Sequence, residues 1–217
     1  MGPMLEGLGP ALVLGFAAGV MPGPLQTFLL LQTFRSGPRA GLRVLPAPLL
    51  SDGPIIAVCL LVLSQAGEVL LRALAFCGGL FLVYLVVDTW RGLRRGEATV
   101  DGRLDVAAAA TSGWKITARA VLINGLGPGP WLFWGTVMGP MLIEHWRLSA
   151  GRALAFLGLF YGILIGLLGI QLALFAYARR LGSRVARAGT WLGMALLAVF
   201  AAVLAAYGAG IIDRFGL

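Results

Sequence analysis

The sequence is short of charge. Asp, Glu, Lys and Arg make up 12% of its 217 residues, and only 9 residues are acidic. It has one histidine, His145, and two cysteines, Cys59 and Cys77. Each scarcity removes a class of function. Two cysteines in separate apolar stretches give neither a disulfide framework nor a thiolate metal site. A single histidine with no ligand partners at coordination spacing gives no metal cluster, so neither a metal nor another cofactor is expected. The apolar stretches also lack a His, Cys or acidic pair able to share acid–base work, so the chain does not read as an enzyme.

What is present is apolar. Hydrophobic residues form 59% of the chain and the mean hydropathy is +0.90, the composition of a polytopic membrane protein. A crossing needs about 20 residues. Stretches of that length fall near 9–33, 42–64, 68–90, 119–142, 151–177 and 188–211, which predicts an all-α fold of six transmembrane helices. No Lys or Arg precedes the first stretch, which is too long for a signal-peptide core, so it reads as a retained span.

The 17 basic residues are spread over short loops, which points to lipid headgroups as neighbours and away from nucleic acid. Thirteen lie between spans 1 and 2 (Arg35, Arg39, Arg43), 3 and 4 (Arg91, Arg94, Arg95, Arg103, Lys115, Arg119), and 5 and 6 (Arg179, Arg180, Arg184, Arg187). Arg72, Arg147, Arg152 and Arg214 remain for the other side. Cytoplasmic loops carry the excess of positive charge, so a plasma-membrane protein with both termini outside is expected.

One motif occurs twice. Pro22-Gly23-Pro24 interrupts the first span and Pro128-Gly129-Pro130 the fourth, 106 residues later, with Phe28 and Trp134 at matching offsets. Proline removes a backbone donor and clashes with the preceding turn, so each triplet should break its helix at bilayer depth. Three spans per half make the repeats inverted, with residues 1–105 as the first, including a cytoplasmic linker, and 106–217 as the second. Matched broken helices are the mark of a transporter. The expected half-helices start at Leu25 and Trp131, with N–H groups suited to a carboxylate. Carbonyls near Ala18 to Met21 and Asn124 to Gly127 suit an ammonium, unless side chains such as Gln26 or Asn124 take them. A small zwitterion or amine held where the two breaks meet is the expected ligand.

Asp52 lies about eleven residues into the second span, near the bilayer midplane, where an ionisable group costs roughly 2.5–3.5 kcal/mol. It should face a cavity, pair, or carry a proton. Asp88, beside Trp90 and Arg91, reads as interfacial. Tyr161 could offer its hydroxyl to the cavity or bridge helices. Gly158, Gly162 and Gly166 form a ridge in the fifth span that should pack on Gly15 and Gly19, or join two copies in a homodimer.

With these residues in view, the chain resembles the LysE/RhtB family of amino-acid exporters over most of its length. Pro22-Gly23-Pro24 matches the family's first-helix motif, Gly37 and Gly41 its following loop, and Asp52 stands where the family carries Gly-Asp. Gly78 to Leu85 fits its third helix. The second half keeps Pro128 and the aromatics Phe133 and Trp134 but lacks the family's Asn and Lys, and Ala47 and Ser51 replace glycines. The resemblance implies proton-coupled efflux of an amino acid. Substrate contacts are expected from Pro22, Gly23, Pro24, Gln26, Asn124, Pro128, Gly129, Pro130 and Tyr161, with Asp52 exchanging the proton. A membrane thiol-redox relay of related architecture needs a cysteine beside each break, and Cys59 and Cys77 stand outside the repeat relation. A divalent-metal exporter needs ligands, and His145 is expected in an outer loop beside Trp146.

Overall fold

The computed structural model describes residues 8–21, 23–62, 68–94 and 113–211. Pro22, the boundary at 105/106 with most of the linker, and both chain ends lie outside the described residues. Every described element is helical: α1 (Gly9–Val20), α2 (Pro24–Ser36), α3 (Pro38–Leu42), α4 (Ala47–Val62), α5 (Glu68–Arg94), α6 (Gly113–Leu126), α7 (Pro128–Phe133), a π-helical turn (Trp134–Met138), α8 (Gly139–Leu148), α9 (Ala150–Arg180) and α10 (Ser183–Gly208).

Proline and glycine set these boundaries. Gly37 has φ +87°, a backbone conformation that side chains resist, and it separates α2 from α3. Ser149 caps α9 by accepting the Arg152 backbone N–H at 3.1 Å. The π turn has its cause in Pro140. That residue has no N–H for the Thr136 carbonyl, and its ring would collide there, so the helix widens and Gly139 N–H bonds Trp134 O five residues back.

Three stretches, Pro38–Cys59, Ala150–Arg180 and Ser183–Gly208, are long and apolar enough to cross a membrane. The pair α1 and α2, bent by 53°, makes a fourth if it is one span. Within α5, 27 residues long, the apolar part is Phe76–Val87. The helices stay apolar on their outer faces: on α9, Leu154, Ile170 and Leu174 are each more than half exposed. A helix apolar all round belongs in lipid or in a protein core, and these faces are left exposed by the described residues.

Inside, α5 lies along α10, α1 along α9, α2 along α10 and α6 along α4. One apolar core gathers Phe28, Leu31, Leu82, Ile123 and Leu197, and a second gathers Ile55, Trp134, Met138, Phe156 and Phe160. The α5–α10 approach is backbone-close, since a Cβ on Gly79 would sit 2.7 Å from Ala205 N. The expected packing of the glycine ridge on Gly15 and Gly19 fails for a geometric reason. Gly15 and Gly19 do meet α9, but at Phe160, Ile163 and Leu167. At 3.6 residues per turn, Gly158, Gly162 and Gly166 fall on the opposite face, with nothing within 4 Å of a Cβ added there.

Candidate functional site

Asp52 is the buried acid among the described residues, 4% exposed. Helix α4 carries it directly after Ser51 and two residues before Pro54, a proline inside the helix. Its carboxylate is met from three other elements. Asn124 of α6 donates to Oδ1 at 2.8 Å, and Tyr161 of α9 donates to Oδ2 at 3.0 Å. The Trp134 side chain, at the start of the π turn, is a further hydrogen-bonding neighbour. Asn124 spends its second hydrogen on Ser51 Oγ at 2.7 Å, and Ser51 passes its own to Ala47 O at 2.8 Å. The donors are all neutral and point at the oxygens, an arrangement suited to an ionised carboxylate.

Aromatic rings close the site. Trp134, 1% exposed, stacks on Tyr161 with centroids 6.3 Å apart and meets Phe160 edge-on at 5.8 Å. Phe133 stacks on Phe160 at 5.7 Å.

A sequence profile of LysE type translocators matches residues 16–208, a stretch that takes in both Pro-Gly-Pro triplets, Asp52, Asn124, Trp134 and Tyr161. The chain belongs to the LysE type translocator family. Comparison with curated proteins and with solved structures returns no match. This LysE type translocator is therefore a multi-pass membrane transport protein of an exporter family, in a class of transporters and not of enzymes.

The breaks of the translocator differ from expectation in three ways. First, the half-helices start on the prolines, at Pro24 and Pro128, and not after them at Leu25 and Trp131. Proline's fixed φ suits the first helical position, and it drives the residue before it to extended backbone, here Gly23 (ψ 179°) and Gly127 (ψ 136°). All of Pro128, Gly129 and Pro130 thus lie within α7.

Second, three of the expected carbonyls are taken, one of them by Gln26, the alternative that the sequence left open. Gln26 Nε2 donates to Ala18 O at 3.2 Å, Gln171 Nε2 to Gly19 O at 2.6 Å, and the Trp131 indole N–H to Gly125 O at 2.8 Å. Side-chain amides and an indole thus supply donors to carbonyls whose helical partners four residues on, Pro22, Gly23 and Gly129, lack an N–H or lie in the break or past it.

Third, the breaks are joined through α9. Gln171 holds the first, while Tyr161 reaches the carboxylate beside the second, about 15 Å away along the helix axis.

Of the expected ligand-contacting residues, the structure gathers Asn124 and Tyr161 around Asp52. Gln26 serves the first break, and Gly129 has nothing within 4 Å of an added Cβ. Ser51, Trp134, Trp131 and Gln171 were missed as site residues. The available signals were a strongly polar Gln171 in an apolar 31-residue helix and Trp134 at the repeat offset from Phe28.

Two further positions are corrected. Cys59 is buried beside the second break, its Sγ 3.9 Å from Trp131 O, because it shares the α4 face of Asp52 two turns on. Cys77 is exposed on α5 and unpaired. His145 is 7% exposed in the last turn of α8, its ring 4.6 Å from Phe156, and not in a loop. That turn packs inward on α9. Among the described residues no three His, Cys, Asp or Glu side chains form a metal-holding group.

Proposed function

We propose that this translocator is a proton-coupled secondary transporter that exports an amino acid or a related small zwitterion or amine, with Asp52 as the proton-exchanging group. The observation that carries the reading is one buried carboxylate held by donors from α6 and α9 at once. A proton added there acts on both. Ionised, Asp52 accepts from Asn124 and Tyr161, charge-assisted bonds each worth about 1.5–3 kcal/mol. Protonated on Oδ2, it must donate its hydrogen, and the Tyr161 hydroxyl has to turn from donor to acceptor. Asn124 can keep its bond to Oδ1. Proton loading therefore weakens the α4–α9 contact and spares α4–α6, which makes the Tyr161 bond the one that changes with the transport step.

The architecture of this reading is six spans in two inverted repeats: α1/α2, α4 and α5, then α6 to α8, α9 and α10. Support comes from equivalent packing. The first half of broken span 1 lies on α9 as the first half of broken span 4 lies on α4, and α5 and α10 pair across the centre. Both termini outside, in the inner membrane, follows from the bias of basic residues towards loops 1, 3 and 5.

The test is uptake by proteoliposomes holding the purified protein, with amino acids and amines presented under an imposed pH gradient. Stimulated uptake of at least one compound is expected. Uptake indifferent to the gradient for every compound would remove proton coupling.

A further inference from the structure

We infer that Gln171 is a positioning residue that couples the proton state of Asp52 to the first helix break, an inference that rests on the transporter reading above and adds the route between the two. Both contacts belong to one helix. On α9, Tyr161 donates to Asp52 Oδ2 at 3.0 Å, and Gln171 Nε2, about 15 Å further along, donates to Gly19 O at 2.6 Å. Gly19 O is a carbonyl that α1 leaves open, since its partner four residues on is Gly23, whose extended backbone lies in the break.

Arg179 repeats the arrangement about two turns later. Its Nε donates at 3.0 Å to Phe34 O in the last turn of α2, whose partner four residues on is Pro38 and has no N–H. Helix α9 therefore grips the span at the break and again at the end of α2. The grip is close as well as polar. A Cβ on Gly15 would sit 2.8 Å from Phe160 O and one on Gly19 2.9 Å from Leu167 Cβ, so little side chain stands between α1 and α9 to absorb a shift. Towards α4 the link is of another kind, the bond from Tyr161 to Asp52 beside the ring faces of Trp134, Phe160 and Tyr161. Neither Gly19 O nor Phe34 O takes up a proton, so the grip on the first span keeps its strength whatever Asp52 carries, while the α9–α4 bond loses its charge assistance on protonation. A shift of α9 is then passed on to the first break.

The experiment is a double-mutant cycle read at the first break of the full-length protein, with Cys59 and Cys77 changed to alanine and Met21→Cys as the reporter. Met21 closes α1 two residues past Gly19 and is 48% exposed, so the rate at which a maleimide modifies the introduced thiol reports on the break. Asp52→Asn stands in for the uncharged state. It should change the labelling rate at least about threefold with Gln171 in place, and by less than about 1.5-fold on Gln171→Met, which keeps the length and bulk of the side chain but removes its donor. Tyr161→Phe tests the same route from its other end. On that variant Asp52→Asn should again be silent, which decides the case if Gln171→Met is not recovered folded. An equal effect of Asp52→Asn with Gln171 and with methionine in its place overturns the inference, as does a labelling rate that ignores Asp52→Asn altogether. Neither result touches the transporter reading, which gradient-driven uptake judges separately.

Discussion

Asp52→Asn separates charge from shape at the residue that carries the mechanism. Asparagine keeps one oxygen for Asn124 and presents an amide hydrogen to Tyr161, whose hydroxyl can rotate to accept it. We expect proton-driven transport to be lost and thermal stability in detergent to stay near that of the wild type. Substrate-dependent proton flux that survives the change would take Asp52 out of the mechanism. Asn124→Leu should do the reverse of a silent change, because it strips a donor from both Ser51 and a buried charge. A loss of about 1–3 kcal/mol is expected, read as a lowered melting temperature. Asp52, Asn124 and Tyr161 were legible singly, since a polar group in an apolar span is costly and needs a reason. Their meeting was not. Positions 52, 124 and 161 are joined only when three helices pack, and no local periodicity encodes that.

At the scale of the element, the two Pro-Gly-Pro triplets were legible as breaks because proline acts on its own turn. Their detail was misread for want of a second effect, the push that proline gives to the preceding residue, which puts the bends at Gly23 and Gly127. Of the side chains that repair the freed carbonyls, Gln26 was legible from its place beside the break, and Gln171 was hidden because it reaches Gly19 from 152 positions away in sequence. Replacing all three residues of either triplet by alanine should let α1 run into α2, or α6 into α7, since it removes a disruption of about 3 kcal/mol per interior proline. Transport should fall to background while membrane insertion persists, as judged by uptake and by the amount of protein recovered from membranes. Transport at wild-type rate in both alanine variants would mean that the bends are not needed.

Across the whole molecule, hydropathy told the membrane class, with which the family match agrees, and the all-helical make-up of the described residues. It could not tell which helix face turns inward. The Gly158, Gly162 and Gly166 ridge has the spacing of a packing surface yet stands opposite the face that packs, because Phe156, Phe160 and Leu164 bury far more apolar area on the inner side of α9. Orientation rests on charge alone, so the topology prediction tests the most exposed step. With Cys59 and Cys77 changed to alanine, single cysteines introduced near Arg39, Gly102 and Arg184 should react with an impermeant maleimide only from the cytoplasmic side. Cysteines at Gly2 and Gly216 should react from the outside. The physical basis is that thirteen basic residues lie in the three loops assigned to the cytoplasm and four lie elsewhere, and moving such loops outward against the membrane potential costs about 2.3 kcal/mol per charge per 100 mV. If Arg39 and Gly102 sites labelled from opposite sides, loops 1 and 3 could not share a compartment. The second broken span would then enter from the same side as the first, and the two Pro-Gly-Pro breaks could not be related by inversion.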